Sequence, residues 1–481
     1  MIKNKKVLYF IVPLLVIVFL LPLFKMEYAT DTYALENDGF YSIGEHMLNN
    51  NARPVTALFL YLFGALSLSV TSFYYFSLLL AIVFSSVAII RLYFLLQKNM
   101  SPICAIFLSV FTVLIPVSAE YFLFIEKGFF LFAICMAIIG CEGFVLFLNG
   151  KRYGLFIAFP SILLSSLTYQ VIPGAFAVLS TLFSILFSNN LKKLVKNLSF
   201  AILIYGFGSI TNLLLLKLFT TSSRVGSGID LGYVFDVVFF LGAKTVLLYI
   251  AIIAVLLLVC LIINKVRNNK LFSIELRRDF FNCFLILLAG FTVTVVPCFF
   301  AEVWFTFRTI YPLSVVIPAI VIYFCFNKKP LPEGNTCKGI KRLSIIVMAV
   351  VLCLCLVFFY ILFIGRHINN ARDNELVEKI NEEILCYENE SNVKIKYIKI
   401  YYDKSVTVVN GGVLRIGDCN VRAFSKEWSD VSHMNVILGK NYIKQKADTE
   451  IYKKYFANKD WNEFSSEQLV FDGETLHICV Y

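Results

Sequence analysis

Residues Lys25–Arg53 read KMEYATDTYALENDGFYSIGEHMLNNNAR, a polar island carrying Asp31, Glu36, Asp38 and Glu45 between stretches that are almost wholly apolar. On its N-terminal side, MIKNKK leads into VLYFIVPLLVIVFLLPLF, a basic start followed by a run long enough to cross a bilayer. No small-x-small cleavage site follows that run, so it reads as an uncleaved first span. Beyond the island, apolar runs of about 18–24 residues, each sufficient for a hydrocarbon core of about 30 Å, recur as far as Gly365. The island is therefore expected to be a loop at the membrane surface, followed by a bundle of spans.

Composition agrees with that reading. Hydrophobic residues make up 59% of the 481 and charged residues 16%, a balance that excludes an ordinary soluble protein. The net charge of +11 is concentrated, within the apolar part, in short clusters: Asn189–Asn197 (NNLKKLVKN), Asn264–Arg278 (NKVRNNKLFSIELRR) and Asn327–Arg342 (NKKPLPEGNTCKGIKR). Such clusters mark cytoplasmic loops, so membrane topology accounts for the charge better than nucleic acid does.

Placing these clusters inside puts Lys25–Arg53, Ala119–Lys127, Phe219–Ala243 and Ala301–Arg308 outside. Arg53 and Lys98 must then be joined by an odd number of crossings, yet Val55–Leu66 and Ser72–Leu96 are both apolar. The first is too short to span and is preceded by Pro54, so an interfacial helix over 54–67 is expected. The fold class expected is a polytopic α-helical membrane protein with about eleven spans over residues 1–365, its N-terminus cytoplasmic. From 366 to 481 the sequence turns soluble. Glu375–Glu388 has helical spacing, whereas Val393–Tyr402, Val406–Val409 and Leu476–Tyr481 read as strands, giving a small extracytoplasmic α+β domain. The thirteen cysteines include no CxxC pair; Cys386, Cys419 and Cys479 lie in this domain, where two of them would pair only in an oxidising compartment.

Several charged residues fall on the outer side. Asp31, just past the first span, is suited to act as general base on an acceptor hydroxyl, or else is simply a solvated acid. Asp38, Glu120 and Glu126 are supporting acids. Arg53, Lys127 and Arg308 are candidates to bind a lipid phosphate, with carboxylate pairing or snorkelling as the structural alternatives. Tyr33, Tyr169, Gln170 and Arg224 are candidate acceptor or lipid contacts. Arg224 shares its loop with Asp230, Asp236 and three glycines, as a mobile cover would. No Walker lysine motif occurs, and intramembrane charge is sparse, Arg91 and Glu142 being the clearest cases.

Asp31-Thr32-Tyr33 followed by Ala52-Arg53-Pro54-Val55-Thr56-Ala57-Leu58, with Tyr169-Gln170 at a span end and Arg308 opening a late span, resembles the membrane glycosyltransferases of the GT-C class. More narrowly, the chain resembles the bacterial O-antigen glucosyltransferase type II family, including Trp461-Asn462-Glu463-Phe464 and Gln468-Leu469-Val470-Phe471 in the C-terminal part. The resemblance implies transfer of glucose or another hexose from a polyprenyl-phosphate donor to a surface polysaccharide or teichoic-acid-type acceptor, with Asp31 at the position of the catalytic base. Thr32 stands where many relatives have a second acid, and Ala52 where they often have glycine. No cofactor is required by the residues, and a divalent metal is left open. The alternatives are a transporter or flippase of lipid-linked saccharides, and a polysaccharide polymerase or ligase.

Overall fold

The computed structural model describes residues 5–219, 274–295, 306–326, 335–403, 413–415, 418–457, 459, 461 and 463–480. Seven helices among them are long and apolar enough to cross a membrane, and the chain is a helical membrane protein. The N-terminal helix α1 (Lys5–Leu20) ends in a turn over Leu21–Phe24 that Pro22 opens. The next long helix, α4 (Val70–Leu96), begins where Ser69 Oγ accepts the Ser72 amide at 3.1 Å. The following α5 (Pro102–Val113) begins likewise, with Ser101 Oγ accepting the Cys104 amide at 3.3 Å and proline in the first turn, where its missing N–H costs nothing. Pro116 breaks the apolar run after α5, and a short α6 (Ala119–Leu123) resumes it.

At the centre lies α7 (Lys127–Leu148), packed between α4 and α8 (Gly154–Thr168). A Cβ on Gly143 would stand 2.6 Å from the Gly154 carbonyl oxygen, so the two backbones meet at van der Waals distance through small residues. Arg91 and Glu142, the clearest intramembrane charges of the sequence, pair at 3.4 Å between α4 and α7. The bundle continues through α9 (Pro173–Leu186), α10 (Leu191–Phe219), α11 (Ile274–Val295) and α12 (Tyr311–Cys325).

Two sequence expectations are corrected here. Lys25–Arg53 is not a loop: α2 (Thr30–Asn49) occupies most of it, bent at Gly39, whose φ of +83° is open to glycine without strain. Its core-facing residues Phe40, Gly44 and Met47 have helical spacing, and they pack on α3 (Pro54–Ala65), the short apolar helix at 54–67. Thr32 closes the first turn, its hydroxyl accepting the Ala29 amide at 3.2 Å. Second, Glu375–Glu388 is not a separate helix. It is the end of α13 (Asn335–Ser391), a single helix of 57 residues that changes from apolar to polar along its length.

The end of α13 packs its Val377, Ile380 and Ile384 against a four-stranded sheet. The strands are β1 (Tyr397–Tyr402), β2 (Ile443–Lys444), β3 (Leu469–Asp472) and β4 (Thr475–Val480), in the order β2-β1-β4-β3. The central pair β1 and β4 is parallel, Ile398 opposite Leu476 and Ile400 opposite Ile478; β3 and β4 form an antiparallel hairpin. The helix α14 (Asp430–Leu438) joins this core and ends at Gly439 in the left-handed conformation. Val406–Val409 lies outside the described residues. Cys386, Cys419 and Cys479 are all free thiols.

Candidate functional site

The C-terminal domain sits on α2. Its helix α14 packs against that element, and Asn435 Nδ2 donates to Asn37 Oδ1 at 2.9 Å. Tyr33, buried in α2, lies edge-on to His433 with ring centroids 4.5 Å apart. Near this contact a narrow cleft of about 10 Å³, room for about one water molecule, is lined by Asp31, Leu35, Ile43, Met47, Thr56, Leu60, Phe73, Ile125 and Glu126. Among the described residues two carboxylates are thus the ionisable groups of the lining, beside Thr56 and six apolar side chains, and they come from α2 and from the turn before α7.

Asp31 Oδ1 accepts from the Trp428 indole N–H at 3.1 Å and, weakly, from the Thr30 hydroxyl at 3.4 Å. Glu126 is 97% covered (its side chain is 3% exposed), and Arg53 Nη1 approaches its Oε1 at 3.5 Å. Neither Glu126 oxygen has a hydrogen-bond partner among the described residues. Burial and, after it, the neighbouring Asp31 charge raise the Glu126 carboxyl above its usual range, against the pull of Arg53.

Arg53 takes the carboxylate-pairing alternative. Its guanidinium also lies 4.6 Å from the Tyr169 ring centroid and 5.7 Å from that of Phe130. Gln170 fastens the turn that delivers Arg53, donating to the carbonyls of Asn51 and Ala52. Ala52 there has a φ of +60°, in the left-handed region where glycine would be unstrained.

Arg308 is held at a second station. Its Nη2 donates to Asp418 Oδ2 at 2.7 Å, its Nε lies 3.8 Å from Glu120 Oε1, and its backbone amide donates to Glu120 Oε2 at 2.7 Å. Burial disfavours the Arg308 charge, but Tyr169, Glu120 and Asp418 more than offset it and hold its pKa above the ordinary value. Lys127 does not line the cleft. Its side chain is 0% exposed, and its Nζ rests 3.6 Å from the Tyr74 ring centroid with no hydrogen-bond partner among the described residues.

Of the residues singled out from sequence, Asp31 and Glu126 meet in the cleft, with Arg53, Tyr169 and Gln170 as its support. Asp38 is exposed and takes a hydrogen bond from Asn37 at 2.7 Å, outside the lining. Arg224 and its loop lie outside the described residues. Sequence reasoning missed Trp428 and Asp418, whose partners Asp31 and Arg308 lie far away in the chain. Among the described residues no group of three His, Cys, Asp or Glu side chains gathers as a metal ion would require. Compared with protein-family models, with curated proteins and with solved structures, the chain matches none.

Proposed function

We propose that the protein is a polyprenyl-phosphate-dependent glycosyltransferase that glycosylates a cell-surface polymer on the outer face of the membrane. The observation that carries this reading is the cleft itself. Two acids, Asp31 and Glu126, line one narrow cleft beside a bundle of apolar helices, with the Arg53 guanidinium against Glu126. In the reaction, the acceptor hydroxyl attacks the anomeric carbon of the donor sugar. The bond from that carbon to the phosphate oxygen breaks, polyprenyl phosphate leaves with the electron pair, and Asp31 takes the hydroxyl proton. Attack opposite the leaving phosphate inverts the anomeric centre. Arg53, beside the cleft, and Arg308 supply positive potential for the departing phosphate.

The topology proposed has about eleven crossings, and those among the described residues are the seven long helices and the shorter α8, α9 and α12. With 12 residues, about 18 Å at 1.5 Å per residue, α3 is the shortest of α3, α8, α9 and α12, the short apolar helices among the described residues. Because the loop charges call for an odd number of crossings between Arg53 and Lys98, we place it along the outer surface. The C-terminal domain is then extracytoplasmic.

The test is the surface glycan. Mass spectrometry of cell-surface polymers from cells with wild-type protein, without it, and with Asp31→Asn should show one hexose lost in the second and third samples. Full glycosylation by Asp31→Asn at normal expression would remove Asp31 as the base.

A further inference from the structure

We propose that the C-terminal domain is a working part of the cleft, with Trp428 as the positioning residue that fixes the Asp31 carboxylate. Its transferase consequence rests on the function proposed above, whereas its structural consequence does not.

The indole N–H of Trp428 reaches Asp31 Oδ1 from 397 positions away in the chain, and an indole nitrogen can only donate. It therefore anchors one carboxylate oxygen in acceptor form. Asp31 Oδ2 has no hydrogen-bond partner among the described residues and remains available to an acceptor hydroxyl. Trp428 itself is 51% exposed, so packing does not explain where its ring stands. What holds it is the loop before α14. Arg422 Nε donates to Asp373 Oδ1 at 2.7 Å, and the Ala423 amide donates to Asp373 Oδ2 at 2.8 Å. Ser429 Oγ closes the loop on the Ala423 carbonyl at 2.6 Å, and Lys444 Nζ donates to the Glu427 carbonyl.

A second strut is independent of the first. Asp418 of the C-terminal domain takes the Arg308 guanidinium at 2.7 Å, while Glu120 holds the same residue from the bundle side. The domain thus touches the site at two places, one an acid of the cleft and the other the cation beside it. A domain that only displayed a surface would have no reason to place an indole on one cleft carboxylate and a carboxylate on the neighbouring guanidinium.

The experiment uses the full chain in detergent micelles, with Trp428→Phe, which keeps an aromatic ring but removes the N–H, and Trp428→Ala. Each is treated with dicyclohexylcarbodiimide, and the labelled Asp31 and Glu126 peptides are quantified by mass spectrometry. Trp428→Phe should label several-fold faster at Asp31, whose oxygen the indole no longer covers, with Glu126 unchanged. In a transfer assay the same variant should lose roughly tenfold in kcat with the donor KM preserved, the signature of lost positioning. Unchanged Asp31 labelling in both variants would overturn the assignment. So would an equal rise at Asp31 and Glu126, which would mean that the domain had merely shifted. Selective Asp31 labelling with no sugar transfer even by wild type would uphold the role of Trp428 and refute the transferase reading instead.

Discussion

Replacing Asp373 by alanine probes the joint between α13 and the loop that carries Trp428. Asp373 is 1% exposed on its side chain and its partner Arg422 only 10%, so both charges are out of water. Removing one member of a buried pair costs about 3–5 kcal/mol, because the other remains desolvated. An exposed pair of the same length would cost about 0.2–1 kcal/mol. The ranges do not overlap, so the magnitude decides between them. The Ala423 amide, which donates to the second Asp373 oxygen at 2.8 Å, loses its acceptor in the same substitution. Because the two losses share one carboxylate they do not add, and the low end, about 3 kcal/mol, is the figure to test. At 1.4 kcal/mol per tenfold, that multiplies the locally opened population roughly a hundredfold. Hydrogen exchange on the full chain in detergent reads this directly, with peptides over 422–430 as the probe and peptides from α7 as the control. The loop amides should exchange about a hundredfold faster in Asp373→Ala and α7 not at all faster. Acceleration of only about threefold or less would mean that the pair is solvated, and that the loop is held by something else.

Three further outcomes follow from the same structure. His433 is buried, and burial lowers its pKa from 6.5 to about 4, so the folded state binds fewer protons than the unfolded one between those values. Its contribution is therefore intact above about 6.5 and is lost as pH falls toward 4, by up to roughly 3 kcal/mol. Thermal melts of the wild type should fall across that window, and His433→Phe should flatten the fall; an identical slope in the variant would refute it. Ala52→Gly should relieve left-handed strain of about 1–2 kcal/mol, offset by about 0.5–1 kcal/mol of glycine entropy, leaving stability equal or slightly higher. Gln170→Ala should lower the melting temperature, since two carbonyls of that turn lose their donor. A clear loss in Ala52→Gly would show that the turn is not strained.

The apolar runs made the helical membrane class readable, because bilayer length and backbone satisfaction leave few other structures open to such a sequence. The strands at Tyr397–Tyr402 and Thr475–Val480 were equally visible, since β-branched and aromatic residues cluster there between turn residues. The island at Lys25–Arg53 was misjudged because its polar residues and its Asn-Asp-Gly run mimic a loop. A face at Phe40, Gly44 and Met47 did carry the helical period. Gly365 was read as a boundary, yet the helix runs through it. A Cβ there would stand 2.5 Å from Asn420 Nδ2, so the glycine serves close approach of the C-terminal loop and not chain termination. Trp428 and Asp418 were out of reach for a simpler reason. Their partners lie 397 and 110 positions away, and no local pattern records such a meeting.

The buried charges themselves separate holding from chemistry. Asp373 shows what a structural acid looks like in this protein, with one oxygen on a guanidinium, the other on a backbone amide, and both contacts below 3 Å. Glu120 is close to that state, since the Arg308 amide donates to one of its oxygens at 2.7 Å. Glu126 is as deeply buried and has far less, a single ion-pair contact at 3.5 Å among the described residues. Leaving a carboxylate so poorly satisfied in an apolar cleft is costly, and replacing it together with Arg53 by apolar residues would be the cheaper solution if stability alone were at stake. Asp31 faces the same cleft with one oxygen anchored and the other open. The cations beside them are already committed, Arg53 to Glu126 and Arg308 to Glu120 and Asp418. The two acids with the least complete hydrogen bonding in this comparison are thus the two that line one cleft, and a polar group entering it would supply hydrogen bonds they lack among the described residues.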